Sequence, residues 1–437
     1  MAGPQGARSV RSDSSGDPAV GPAPFHFARG NLQKLLALPR YAWGAARSVW
    51  TRRDPALWVI GSAFGVADGA RAFLRAAQDL ARPPRIVWLA GSPAEAAAAR
   101  AAGVAEVLDR DSAAGLAVTL RAGLVAVTHG FGDVNRYGVS GAVIVQLWHG
   151  APLKKLHADS PAALQLGGLG RIPGMTRMMR LLYRRGTRRI SLLPTGSQHF
   201  VPSLCSAFDL TPDQVRVLGE PRTDVLFQGS AEDLTDSARA LIGSHLGDLA
   251  GRRIVLYAPT WRDGAPDPGV PSPEQWGRID SFCARSQYLL VVRPHPLGVG
   301  DYVHRSPFVK LLPATAQPES MPLLWGIDIL VTDYSSMLVD FAATGRPIVF
   351  LAPDLDDYRR TRGLYDDYAW LSGGRWHSDW DGVLSDLERL VADPDLMAQR
   401  CRHSDLLRQE FHTFTDGRNA VRVAEAAAAL VESRFRR

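Results

Sequence analysis

DILVTDYSSMLVDFAATGRPIVF, residues 328–350, decides the fold of this chain. The apolar run 327–331 reads as a buried strand. A polar turn follows, Thr332-Asp333-Tyr334-Ser335-Ser336, then a helix, then a second buried strand over 347–351. Strand, turn, helix and strand in that order make a βαβ unit of a parallel sheet. Open α/β sheets bind ligands at the carboxyl ends of their strands, where this turn sits. Its hydroxyls and the N–H groups of a helix start suit a phosphate. Ser335 or Ser336 would equally serve as a plain helix N-cap, and the two uses are compatible.

The same alternation extends to both sides. Runs 57–61, 85–90, 124–128 and 142–148 read as strands, with helices over 68–81, 93–102 and 111–121 between them. Further strands are expected at 253–258 and 288–293. The region 151–250 is less regular. The expected fold class is therefore α/β, with two doubly wound parallel units. The expected division is a disordered leader over 1–30, an N-terminal domain over 31–210, a C-terminal domain over 211–415, and a last helix, 416–437, packing back across the first domain. At 437 residues the chain exceeds one ordinary core, which agrees with two domains.

Several strand ends carry chemistry. Gln146-Leu147-Trp148-His149-Gly150 leaves His149 just past a strand, before Gly and Pro. It is either a general base, since imidazole titrates near neutrality, or a histidine satisfied by the backbone of a tight turn. Lys154 and Lys155 follow and suit acceptor phosphates. Arg293-Pro294-His295-Pro296 repeats the arrangement in the second half, with two prolines fixing the backbone. It is either a cationic clamp on a leaving phosphate or a structural histidine. Gly219-Glu220-Pro221-Arg222-Thr223-Asp224 is a turn in which Arg222 forks onto a phosphate or a carboxylate, or pairs with Asp224 on the surface. Tyr257-Ala258-Pro259-Thr260-Trp261-Arg262 ends one more strand with a hydroxyl and an arginine at its tip.

Residues 171–190, RIPGMTRMMRLLYRRGTRRI, hold seven arginines and no acidic residue. Arg177, Arg180, Arg184 and Arg185 interleave with Met and Leu. Such a helix suits an anionic membrane, a polyanionic acceptor or nucleic acid, or only a solvated face. Nucleic acid is the remote option, since Tyr183 is the only aromatic among the arginines and no nucleic-acid motif accompanies it. The basic, Trp-containing run 39–53 is a second candidate.

Hydrophobic content of 46% with 22% charged residues is that of a globular protein. The net charge of +6 suits anionic partners. Cys205, Cys283 and Cys401 have neither metal-type nor disulfide-framework spacing, which points to a reducing cytosol. No apolar run is long enough to span a bilayer, and the first residues lack the apolar core of a signal peptide. There is no Walker loop, GxGxxG, HExxH or zinc-type cluster, so ATPase, dinucleotide oxidoreductase and metalloprotease readings fall away.

WHGAPLKKL, GEPRTDVLF, VLYAPTWRD, RPHP, the opening segment continued to LAPDLDDY, RGLYDDY and FHTFTDGRNAVRV occur in that order. The set resembles the CDP-glycerol glycerophosphotransferase family of teichoic acid glycerol-phosphate primases and polymerases. The resemblance covers about 57–423 and departs from the family at Ser372-Gly373-Gly374, where a Pro-Gly pair is common. It implies a GT-B-like fold of two Rossmann-like domains facing a cleft. It also implies transfer of glycerol phosphate, or a related polyol phosphate, from CDP-glycerol to a hydroxyl of a lipid-linked acceptor, with release of CMP. His149 would be the base. His295 and Arg293 would hold the donor pyrophosphate, and Thr332, Ser335 and Ser336 would contact its phosphates. Arg222 and Lys154 would be charge partners. No metal or cofactor is called for. The expected partners are CDP-glycerol or another CDP-polyol, the acceptor, and an anionic membrane surface, with no nucleic acid. The expected location is peripheral, on the cytoplasmic face of the cell membrane. The rival readings are a sugar-nucleotide glycosyltransferase of capsule synthesis and a non-catalytic membrane- or polyanion-binding relative.

Overall fold

A computed structural model describes residues 36–160, 174–262 and 265–436, and the expected leader over 1–30 lies outside them. β1 (Asp54–Ile60), β2 (Arg85–Ala90), β3 (Val107–Asp109), β4 (Ala122–Val127) and β5 (Val143–Gln146) form a sheet in the order β3-β2-β1-β4-β5. Every neighbouring pair in it is parallel. β6 (Leu193–Thr195) and β7 (Val215–Val217) make a small parallel pair, which Leu192 joins to β5 at Val145. β8 (Arg253–Ala258), β9 (Tyr288–Val292), β10 (Val309–Leu311), β11 (Ile329–Thr332) and β12 (Ile348–Phe350) form the second sheet, in the order β10-β9-β8-β11-β12. It too is all parallel. Both orders reverse direction between the first and fourth strands, the switch point where doubly wound sheets take ligands.

The strands are apolar on both faces because both faces are covered. Successive side chains point to opposite sides. Trp58 and Ile60 therefore join a core with the helix Asp68–Gln78, while Leu57 and Val59 join another core on the far face. In the second sheet Val255 and Tyr257 meet the helices Pro273–Ser286 and Trp380–Ala392. Ile254 and Leu256 share the cluster of Leu57 and Val59, so one apolar core runs through both halves.

The last helix, Asn419–Phe435, lays Ala420, Val423, Ala424, Ala427 and Val431 into the core of the first sheet. Its first turn is held by Asp224, whose carboxylate accepts the N–H groups of Asn419 and Ala420 at 2.7 and 2.8 Å. That is the stabilising place for an acid at a helix start. Gln228 Nε2 donates to the Gly417 carbonyl at 2.9 Å. The chain thus passes between the halves twice, and the two passages are bonded side by side.

Four strands of three residues each, β3, β6, β7 and β10, lie outside the strand ranges read from the sequence. β3 and β10 are sheet edges. The helix after β11 is short, Met337–Ala342. The expected Arg222–Asp224 surface pair is corrected: both residues are buried and paired elsewhere.

Candidate functional site at the carboxyl ends of the two sheets

β5 ends at Gln146, and the chain turns sharply at Trp148, whose φ is +62°. A bulky residue in the left-handed region is a strained outlier, of the kind that gathers at functional sites. The turn brings His149 back over the end of β4, where its Nδ1 lies 3.3 Å from the Thr128 carbonyl. A carbonyl only accepts, so Nδ1 carries the proton and Nε2 keeps its lone pair. One edge of His149 is open to solvent. Protein crowds the rest of the ring, and that desolvation, with the charge of His129 next, holds its pKa well below the usual histidine range.

His129 is stacked on His149, the ring centroids 3.9 Å apart and the planes within 6°. It follows Thr128 at the end of β4. Asp133 fixes that end, its Oδ2 accepting from the N–H groups of Thr128 and His129 at 2.9 and 2.7 Å. The sequence reading missed this histidine. The signal was there: a histidine and a glycine directly after a predicted strand, as in His149-Gly150.

The second sheet presents its own strand ends. His295 Nδ1 accepts the Leu297 N–H at 3.1 Å, so its proton sits on Nε2, as a donor. Trp261, just beyond β8, stacks on it at 5.9 Å. Crowding first, and the nearby Lys154 charge second, lower its pKa to about 4. His295 is neutral at pH 7 and offers an N–H without carrying charge. After β11, Ser335 Oγ accepts the Met337 N–H at 3.3 Å, so it does cap the helix. Ser336 is half-buried and makes no side-chain cap.

The two sets meet along the segment from Gly150 to Lys155. Ser336 Oγ comes so close to Gly150 that an added Cβ there would lie 3.0 Å from it. His149 is thereby set one residue from the Ser335-Ser336 turn. Lys155 N–H donates to the Gly363 carbonyl at 3.0 Å, and its side chain lies over that glycine. Tyr365 donates to Asp159 at 2.7 Å along the same seam.

Three expected phosphate contacts have other work. Thr332 is fully buried and donates to the Ala258 carbonyl at 2.7 Å inside the sheet. Arg293 spends its guanidinium on the carbonyls of Leu312, Gln317 and Pro318, bracing that loop. Arg222 forks onto Asp340 at 2.7 and 2.9 Å and bonds Glu220 at 2.6 Å, all three buried. Each was read as a cation or hydroxyl at a strand end; burial and carbonyl or carboxylate partners redirect it inward. Arg262 is a brace of the same type, joining Asp333 at 3.0 Å to Asp354 at 2.7 Å.

Arg177, Arg180, Arg184 and Arg185 lie apart from this site. They are exposed on the helix Met175–Thr187. Among the described residues, no helix is long and apolar enough to cross a membrane.

Residues 44–428 match the protein family described as CDP-Glycerol:Poly(glycerophosphate) glycerophosphotransferase. The teichoic acid glycerol-phosphate transferase of Staphylococcus aureus is 30% identical over 232 residues, 51% of this chain and 56% of that protein. The teichoic acid poly(glycerol phosphate) polymerase of Staphylococcus epidermidis is 28% identical over 253 residues, 56% of this chain but 33% of that protein. The chain thus spans only part of the length of these relatives. A solved structure of the wall teichoic acid polymerase TagF superposes with a TM-score of 0.69 at 20% identity, covering 94% of this chain and 98% of that one. It has the same α/β fold with parallel sheets.

Proposed function

The chain belongs to the CDP-glycerol:poly(glycerophosphate) glycerophosphotransferase family, and from that premise we propose that it moves glycerol phosphate, or a related polyol phosphate, from a CDP-polyol to an acceptor hydroxyl. In this reading the halves form a GT-B-like pair. Residues 31–210 hold the acceptor and the membrane, 211–415 hold the donor, and 416–437 pack back on the first half.

The observation that carries the proposal is the contact of Ser336 with Gly150 beside His149. It sets the residue that follows His149, from one sheet, against the hydroxyl turn of the other. His149 Nε2 takes the proton of the acceptor hydroxyl. The freed oxygen attacks the β-phosphorus of the donor. The bond from that phosphorus to the bridging oxygen breaks, and CMP leaves. His295 Nε2–H and the Ser335 and Ser336 hydroxyls donate to the phosphate oxygens as charge moves onto the leaving group. Lys154, beside His295, adds the positive charge that neutral His295 lacks. Lys155 stands on the acceptor side. Catalysis in such a scheme is mostly positioning and electrostatics.

Purified protein given CDP-glycerol and a glycerol-phosphate acceptor is expected to release CMP. No CMP from CDP-glycerol or CDP-ribitol would sink the donor assignment. His295→Ala is expected to lower kcat by about a hundredfold, the scale of one lost oxyanion donor. His295→Gln, which keeps an N–H, is expected to retain more. Equal rates for the two variants would remove that donor role.

The acceptor is proposed to be lipid-linked and met at the cytoplasmic face of the membrane. Met178 and Leu181 are 40% and 54% exposed among the arginines of Met175–Thr187. The helix Leu38–Trp50 adds a second apolar face. Its Gly44 packs on Tyr137, while Trp43 and Trp50 are 51% and 88% exposed. At 100° per residue those tryptophans share a stripe facing away from the protein, with Arg40 and Arg47 beside it. The chain just past each helix bonds one loop: Arg53 to the Gly138 and Ser140 carbonyls, and Arg189 to the Ser140 hydroxyl. Charge plus tryptophan suits an anionic lipid surface. Changing Arg177, Arg180, Arg184 and Arg185 to alanine should weaken co-sedimentation with phosphatidylglycerol vesicles by up to about a thousandfold, at roughly 1 kcal/mol per arginine. Unchanged co-sedimentation, or none by the unmodified protein, would refute the surface.

A further inference from the structure

We propose that His129 is a positioning residue for the transfer, its ring fixing the plane in which the His149 Nε2 lone pair meets the acceptor hydroxyl. The inference rests on the reading of His149 as the base.

The geometry carries it. The rings are face to face at 3.9 Å and nearly parallel, so His149 cannot swing toward His129. Phe64 lies edge-on beside His129 at 4.4 Å, with its ring 6.5 Å from that of His149. Thr128 is the common anchor. Its carbonyl holds His149 Nδ1, and its hydroxyl lies 3.0 Å from His129 Nδ1. Asp133 Oδ2 lies 3.1 Å from that hydroxyl and, as a carboxylate, can only accept from it. The hydroxyl oxygen is then left to accept from His129 Nδ1–H. Both imidazoles hang from one residue, and that residue hangs from one carboxylate.

Stacking also bears on charge. Two imidazolium rings this close repel, so a proton on either disfavours a proton on the other. The groups facing the pair are Asp133 in the turn Phe131–Asp133, Arg222 in the turn Pro221–Leu226, and His157 in the turn His157–Asp159. Asp133 favours a proton on His129. Arg222, His157 and His129 all oppose one on His149. The base therefore rests neutral, with its lone pair available. After it takes the acceptor proton, the same neighbours favour handing that proton on.

Full-length protein tests this with CDP-glycerol, the glycerol-phosphate acceptor, and a pH profile of kcat/KM. His129→Phe keeps a stacked ring and removes its nitrogens. Its kcat near neutral pH should stay well above that of His129→Ala, because the stack is kept. Its acid limb should move to higher pH by roughly half a unit or more, because His149 loses a like-charged neighbour. His129→Ala removes the stack. Its kcat should fall about ten- to a hundredfold, as for a slightly misplaced reacting group, with the KM for CDP-glycerol unchanged. NMR titration of histidine-labelled protein gives a second readout independent of turnover: the His149 midpoint should rise in His129→Phe. An unmoved midpoint, with normal kcat in a folded His129→Ala variant, overturns the inference. A raised midpoint together with full activity of His149→Ala overturns the base reading instead.

Discussion

His149→Ala should lower kcat for CMP release by about two to four orders of magnitude, the range of one lost general base. The fold should survive, because the side chain has one open edge and, among the described residues, bonds the Thr128 carbonyl alone. The pH profile of the unmodified enzyme belongs to the same expectation. His149 titrates below the usual histidine range because crowding and its neighbours disfavour the charged ring. The base is then in its working form through neutrality, and the acid limb of kcat/KM falls below about pH 6.5, the unperturbed value. Turnover by His149→Ala within tenfold of normal would remove the histidine from the mechanism. An acid limb above pH 6.5 would contradict the assignment of its surroundings.

The second large effect is on stability. Arg222→Ala leaves Asp340 and Glu220 buried without their cation. Removing one partner of a buried pair costs about 3–5 kcal/mol, against a total stability of about 5–15 kcal/mol. The urea midpoint should drop sharply. Asp340 lies four residues after Ser336 on the helix that the serine turn begins, so kcat should fall as well. The variant Arg222→Met with Glu220→Gln and Asp340→Leu should recover most of the midpoint, since a matched apolar replacement of a buried ionic cluster is often neutral. An Arg222→Ala midpoint equal to that of the unmodified protein would mean that the cluster contributes nothing to the fold.

Long apolar strands between helices were legible because burial on both faces leaves a continuous signature. β1, β2, β4, β8, β9 and β11 all carry it. β3 and β10 do not: three residues at a sheet edge hold too few apolar side chains to stand out. The two halves share a strand order that no repeat in the sequence betrays, since a fold constrains burial more than residue identity. His149 and His295 were legible by their position just past strand ends. His129 stands in the same position, just past β4 and before Gly130, and its pattern was equally legible. The arginines were the hardest to place. Arg222, Arg262 and Arg293 occupy loops that look exposed in sequence, yet their partners are carboxylates and carbonyls that only the folded chain brings near. Gly373 and Gly374, at φ +63° and +76°, are needed where the helix Tyr368–Leu371 stops. The departure at Ser372-Gly373-Gly374 thus remains compatible with a tight turn.

The paired passages of the chain between the halves bear on how firmly the two are held together. A single linker would leave the halves free to twist about it. Here two linkers run together, fastened where Gln228 meets Gly417 and where Asp224 holds the start of the last helix. The halves are further tied by the buried Arg222–Asp340 pair, by the Arg71–Glu319 pair and by the apolar core they share. Several fastenings in different parts of the chain, rather than one flexible tether, therefore hold His149 and the serine turn in register.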